Sequence, residues 1–174
     1  MFSKVLAFGL GALALVSAAP ASPSFFQLSC STNFATSVAP AKSFDIEPGN
    51  YIIYNVANGA QLRSYTPEQP IFVTLTRDWP GDFAIRMEKT GGKIANVGLR
   101  AAAKATYVGP FGKIFATQGN ADSYSIEPAG ENTFTIKVPD EDLVWAVNSN
   151  ADRSDVFLKP ADGTSETRWA FKRM

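Results

Sequence analysis

Short apolar strands of three kinds recur along this chain at intervals of about 42 residues, and this repeat restricts the fold more tightly than any other feature. An opening strand recurs at Tyr51-Ile52-Ile53, Lys93-Ile94-Ala95 and Phe134-Thr135-Ile136, with Tyr51, Ile94 and Phe134 spaced by 43 and 40 residues. A third strand recurs at Ile71-Phe72-Val73, Ile114-Phe115-Ala116 and Val156-Phe157-Leu158, its phenylalanines 43 and 42 residues apart. A closing strand recurs at Phe83-Ala84-Ile85, Tyr124-Ser125-Ile126 and Trp169-Ala170-Phe171, its leading aromatics 41 and 45 residues apart. Second strands match more loosely, at Leu62 to Tyr65, Ala105 to Val108 and Leu143 to Val147. The order aromatic, small, apolar within each closing strand fits one face buried in a shared core. Four strands in each of three units make twelve strands, and a repeat that stops at three copies points to closure about a threefold axis and not to an open solenoid. The expected fold is therefore all-β, a β-trefoil of three repeats. A four-bladed propeller shares the period but needs a fourth unit. Closure also removes the strand edges that would otherwise invite aggregation.

The repeat defines a domain over residues 45–174. From Asp45 onward, β-branched and aromatic runs are separated every 8 to 12 positions by Gly, Asn, Asp and Pro. Residues 19–44, by contrast, are rich in Ser, Ala, Thr and Pro without a sustained period and read as a poorly ordered lead-in. The richest helix-former stretch, Arg100 to Lys104, is too short to nucleate a helix. At the start, Lys4 precedes the apolar run Val5 to Val16, and small residues follow, which is the layout of a secretory signal peptide over residues 1–18, with a cut after Ala21 as the alternative to one after Ala18. That run falls short of the roughly 20 apolar residues of a membrane span. The mature chain is thus expected to be secreted and extracellular, without membrane insertion. Cys30 is the single cysteine, so it is either free or bridged to a second chain, the latter one route to a homodimer.

Composition removes several classes of function. Histidine is absent, which eliminates the commonest general base, the Ser-His and Cys-His pairs and most zinc sites. The 16 basic and 16 acidic residues balance, and no run of like charge provides the basic face that nucleic acid or an anionic membrane requires. The acidic run Asp140-Glu141-Asp142 lacks the glycine and distal glutamate of a calcium loop and reads as a solvated hairpin turn. No catalytic set, metal or cofactor is expected, and the chain reads as one that binds.

The stretch Pro48-Gly49-Asn50-Tyr51-Ile52-Ile53-Tyr54-Asn55 resembles the start of the small ricin-B-like β-trefoil lectins of mushroom fruiting bodies. The last unit, from Phe134-Thr135-Ile136 through Leu143-Val144-Trp145-Ala146-Val147-Asn148 and Val156-Phe157-Leu158 to Arg168-Trp169-Ala170-Phe171, is similar to their final repeat. Fungal β-trefoil protease inhibitors open with a similar Gly-Asn-Tyr strand. The resemblance implies a glycan as partner, with a protease as the alternative. In those lectins the sugar lies against the second unit, which implies Tyr107 on its second strand and Asn120, Asp122, Ser123 and Tyr124 toward its closing strand as carbohydrate-binding residues. The lectins prefer tryptophan where Tyr107 and Tyr124 stand.

The residue types suit that chemistry, because a sugar is distinguished from water by an aromatic face for its C–H groups together with fixed donors and acceptors for its hydroxyls. Tyr107, Phe111, Asn120 and Asp122 offer such a mixture, whereas the repeat sets Tyr124 where Phe83 and Trp169 sit, a position for core packing. In the third unit, Asp142, Trp145, Asn148 and Asn150 bracket a strand and its turn as a second candidate, against packing for Trp145 and turn formation for Asn148. For the inhibitor alternative, Arg63, Arg100 and Lys104 are the basic residues between strands that an exposed inhibitory loop could offer.

Overall fold

Two-residue alternation of burial is the local signature of the chain. Tyr51, Ile53 and Asn55 are buried between partly exposed Ile52 and Tyr54, and Gly92, Ile94 and Asn96 repeat the pattern around Lys93 and Ala95. This period commits each segment to an extended backbone with one face inward. The computed structural model describes residues 46–76, 83–88, 91–106, 112–148 and 152–174; the leader, the lead-in and Cys30 lie outside them. Within the described residues are β1 (Gly49–Asn55), β2 (Gln61–Arg63), β3 (Phe72–Thr74), β4 (Phe83–Glu88), β5 (Gly91–Asn96), β6 (Ala101–Thr106), β7 (Lys113–Thr117), β8 (Ser125–Gly130), β9 (Thr133–Lys137), β10 (Leu143–Ala146), β11 (Ser154–Asp155), β12 (Phe157–Pro160) and β13 (Trp169–Arg173), with a single 3₁₀ turn at Ser165–Thr167.

Six of these strands pair in a ring. β1 joins β4 through Tyr51↔Phe83, β4 joins β5, and β5 meets β8 at the bridge Gly92↔Tyr124. β8 then joins β9, β9 joins β13 through Phe134↔Trp169, and β13 returns to β1 over five residue pairs from Tyr51↔Arg173 to Asn55↔Trp169. Three hairpins, β2–β3, β6–β7 and β10–β12, close one end. They are tied together by backbone bonds from Ile71 N to Ile114 O (2.8 Å), from Ile114 N to Val156 O (3.0 Å) and from Val156 N to Ile71 O (2.8 Å), a closed cycle of three. The closing-strand aromatics Phe83, Tyr124 and Trp169 are fully buried beneath them, and Trp145 packs edge-on against Tyr124 at 4.9 Å and Trp169 at 6.3 Å.

Two details differ from the sequence expectation. The middle second strand is Ala101–Thr106, several residues ahead of the expected Ala105 to Val108. Ala101, Ala103 and Ala105 face inward and Ala102, Lys104 and Thr106 outward, so pairing with β7 draws a helix-forming composition into a strand. The last unit's third strand is also split in two. Ser154 and Asp155 pair with β3, Val156 turns its amide into the three-membered cycle, and Phe157 onward pairs with β10 and β7.

Buried asparagines hold two strand ends. Asn55 Nδ2 donates to Glu166 O at 2.9 Å and its Oδ1 accepts from Ala57 N at 3.0 Å; Asn96 Nδ2 donates to Ser64 O at 2.9 Å and its Oδ1 accepts from Leu99 N at 3.1 Å. Removing such an amide leaves buried backbone groups unpaired. Asn55→Ala should lower unfolding free energy by about 2 kcal/mol in chemical denaturation.

Across the cap, Asp152 Oδ1 accepts from Leu75 N (3.0 Å) and Thr74 Oγ1 (2.9 Å), and these bonds, the backbone one foremost, hold its carboxyl below the ordinary aspartate value of 3.8. A lowered folded pKa stabilises the fold above the unfolded pKa, and the contribution disappears as pH falls through the lowered value. Asp152→Asn should therefore melt below the parent at neutral pH, and the gap should narrow as the pH falls through the lowered carboxyl value.

Candidate functional site

Three of the second-unit residues singled out by the sequence, Asp122, Ser123 and Tyr124, border a shallow depression of about 420 Å³, which is lined by Ala105 of β6, by Ala121 to Tyr124 on the β7–β8 connection, and by Val138 and Pro139 beyond β9. Asp122 builds it. Its amide donates to Ala103 O at 3.2 Å and its Oδ2 accepts from Ala105 N at 2.8 Å, so that this residue fills the place of a strand along the β6 edge. Among the described residues, Asp122 Oδ1 receives no hydrogen bond. A half-buried carboxylate held in this way presents a fixed acceptor that has little side-chain entropy left to lose.

Ser123 lies beside it, its Oγ donating to Glu88 Oε2 at 3.4 Å, while Glu88 Oε1 pairs with Lys93 Nζ at 2.9 Å. The hydrogen bond from Lys93 holds the Glu88 carboxyl below its usual range. Asn120 is exposed on the same connection. Tyr124 corrects the expectation taken from the resemblance: it is fully buried, its ring edge-on to Trp145, and it contributes no ring face for a sugar. Tyr107 and Phe111 lie outside the described residues.

The depression depends on a close backbone approach. Gly92 and Tyr124 exchange backbone hydrogen bonds, and a Cβ on the neighbouring Gly91, whose φ is +143°, would stand 3.0 Å from Tyr124 O and 3.3 Å from Ser123 Cβ. Both the positive φ and the contact call for glycine.

The third-unit candidates separate. Trp145 is fully buried in the core, and Asp142 is exposed at the β9–β10 turn. Asn148 lines a different depression together with Arg153 and Phe157, and Asn150 is outside the described residues. The basic candidates separate as well. Arg63 is 2% exposed, its Nη2 donating to Gln61 Oε1 at 3.0 Å, and Lys104 sits within β6, whereas Arg100 is exposed in the β5–β6 turn. An aromatic step went unnoticed in the sequence: Tyr65, 53% exposed, packs edge-on against Phe72 at 5.2 Å, and the Arg153 guanidinium lies 5.4 Å from the Phe72 ring. The available signal was the alternation of the third strand, Ile71 and Val73 inward, which turns Phe72 outward.

No family model matches the sequence, and no curated protein matches it. Solved structures do. The chain superposes on the ricin B-like lectin of Macrolepiota procera in complex with lactose with a TM-score of 0.67 at 14% identity, over 75% of this chain and 99% of that one. The Rhizoctonia solani agglutinin gives a TM-score of 0.67 at 16% identity, covering 75% and 98%. A proteinase inhibitor from Coprinopsis cinerea gives 0.60 at 21% identity, covering 75% and 100%. The fold is a β-trefoil. At these identities the likeness carries the trefoil scaffold and leaves its activity to be argued from the site.

Because the Gly91 approach sets the trefoil's second-unit depression, Gly91→Ala should cost more than about 1 kcal/mol in thermal or chemical denaturation. It should also raise amide exchange at Ser123 and Tyr124 relative to the parent.

Proposed function

We propose that this protein is a secreted, non-catalytic carbohydrate-binding trefoil of three four-strand units, and that a sugar lies in the depression beside Asp122. Asp122 carries the reading: its carboxylate is fixed by the β6 backbone, with one oxygen left as an acceptor next to the apolar surface of Ala105, Val138 and Pro139. A hydroxylated ring needs that pairing of fixed polar groups with apolar surface. Ser123 and Asn120 add polar groups from the same connection. Tyr107 is assigned to the aromatic face on the strength of the sequence resemblance, and Phe111 for its residue type on a neighbouring loop. The cycle through Ile71, Ile114 and Val156 supports the three-unit reading, and the lactose complex of the Macrolepiota lectin supports the ligand class. One shallow site binds weakly, so avidity would come from self-association, for which Cys30 offers a route.

The inhibitor alternative draws on the likeness to the Coprinopsis inhibitor. Its basic candidates fit poorly. Arg63 is buried, Lys104 is held in a strand, and Arg100 has a φ of 51° within a tight turn. Peptide-recognition clefts commonly take an extended segment whose main chain can pair.

A glycan array that includes lactose and other galactose-terminated oligosaccharides, run beside a panel of serine and cysteine proteases, tests both readings. Asp122→Asn keeps a carbonyl for Ala105 N and replaces the outward acceptor with a donor. It should weaken the best neutral glycan by about tenfold or more while leaving the melting temperature nearly unchanged. Stoichiometric protease inhibition without glycan signal would reverse the assignment.

A further inference from the structure

On the outer face of β4, β5 and β6, beside the start of β1, lies a groove of about 720 Å³. Among the described residues its charged lining is of one sign: Arg86, Lys93 and Arg100 border it, and no carboxylate does. Arg86 stands directly opposite Lys93 across β4 and β5, a like-charge pair of which only Lys93 has a carboxylate partner among the described residues. Glu88 is committed to Lys93 at 2.9 Å, which leaves Arg86 and Arg100 without an ion-pair partner among the described residues.

The floor between these cations is flat and small. The register sets Asn50 opposite Ala84, Ala84 opposite Ala95, and Ala95 opposite Ala102, a row across four strands that is methyl groups apart from one exposed amide. Arg100 is held at the rim by a braced turn. Leu99 N donates to Asn96 Oδ1 at 3.1 Å, Gln118 Nε2 donates to Leu99 O at 3.1 Å, and Arg100 itself takes a φ of 51°.

We propose that this groove binds an acidic saccharide, with a sugar ring on the alanine floor and a carboxylate or sulfate group engaged by Arg86 and Arg100. The assignment rests on the glycan-binding reading for its class of ligand, and on the groove alone for its place. The planar guanidinium fork matches both anions in a bidentate geometry, which a lysine cannot supply. Three cations on a chain of balanced charge are too few for the many phosphate contacts on which nucleic acid binding depends.

The test is calorimetric titration of the full chain at low salt with a sulfated heparin-derived tetrasaccharide, its desulfated counterpart, inorganic sulfate, a short oligonucleotide and lactose. Arg86→Gln combined with Arg100→Asn removes both guanidinium groups, and asparagine tolerates the positive φ at residue 100. The sulfated saccharide should bind at least about tenfold tighter than its desulfated form, lose about tenfold in the double variant, and be unaffected by Asp122→Asn. Equal binding by parent and double variant overturns the proposal, as does inorganic sulfate or the oligonucleotide binding as tightly as the tetrasaccharide. Lactose reports separately on the Asp122 depression. Failure of lactose and of every neutral glycan of the array to bind, with the sulfated saccharide still held, would sink that site and leave this one standing.

Discussion

Three backbone hydrogen bonds arranged head to tail, Ile71 to Ile114 to Val156 and back to Ile71, tie the three hairpins of the described domain together. Each joins one hairpin to the next, so no hairpin can shift without breaking two of them. The three donors and acceptors are fully or almost fully buried, where an unmade bond carries its whole desolvation cost. Because the cycle involves segments some 40 residues apart, it can form only when all three hairpins have folded, and this couples remote parts of the sequence into one cooperative unit. Directly beneath it, the rings of Phe83, Tyr124 and Trp169 fill the interior that the ring of six strands encloses.

With the scaffold determined by backbone pairing and core aromatics, the connections between strands are released for other work. The β7–β8 connection shows how such a segment is nonetheless made rigid. Asp122 contributes both an amide and a carboxylate to the length of β6 beyond its pairing with β5, an arrangement in which a side chain takes the place of a strand. Asn96 does the same for the β5–β6 turn. Side chains that order a loop through the backbone leave their neighbours pre-positioned, which lowers the entropy a ligand would otherwise forfeit on binding.

Much of this was legible in the sequence because the repeated apolar triplets are set by burial, and burial dictates both strand period and phase. The leading aromatics of the closing strands, Phe83, Tyr124 and Trp169, are legible to the residue. Legibility failed where tertiary pairing overrides local composition. Ala101 to Lys104 carries helix-forming residues yet forms β6, since β7 on one side and the core beneath supply what propensity does not. Arg63 read as a surface cation because arginine usually is one; nothing local signals that β2 is buried along its whole length. Tyr124 shows the conflict between two kinds of inference: the repeat pointed to packing and the family resemblance to a ligand, and the repeat, which reports the physics of this chain, was right.

β6 also explains the two depressions to which ligands are assigned. Its side chains are alanine at four of six positions, and the strand borders both recesses: Ala105 lines the one beside Asp122, and Ala102 ends the alanine row of the cationic groove. The larger Val144 and Trp145 of β10 are, by contrast, buried. Alanine has little intrinsic preference for a strand and buries little area there, so this segment is weakly stabilised by its own side chains and relies on five residue pairs with β7. The same smallness that costs the sheet packing energy creates concave, accessible surface on either side of it. On a scaffold whose core is already secured by the hairpin cycle and the buried aromatics, that exchange of local stability for surface shape is tolerable, and it falls in the unit to which both proposed ligands are assigned.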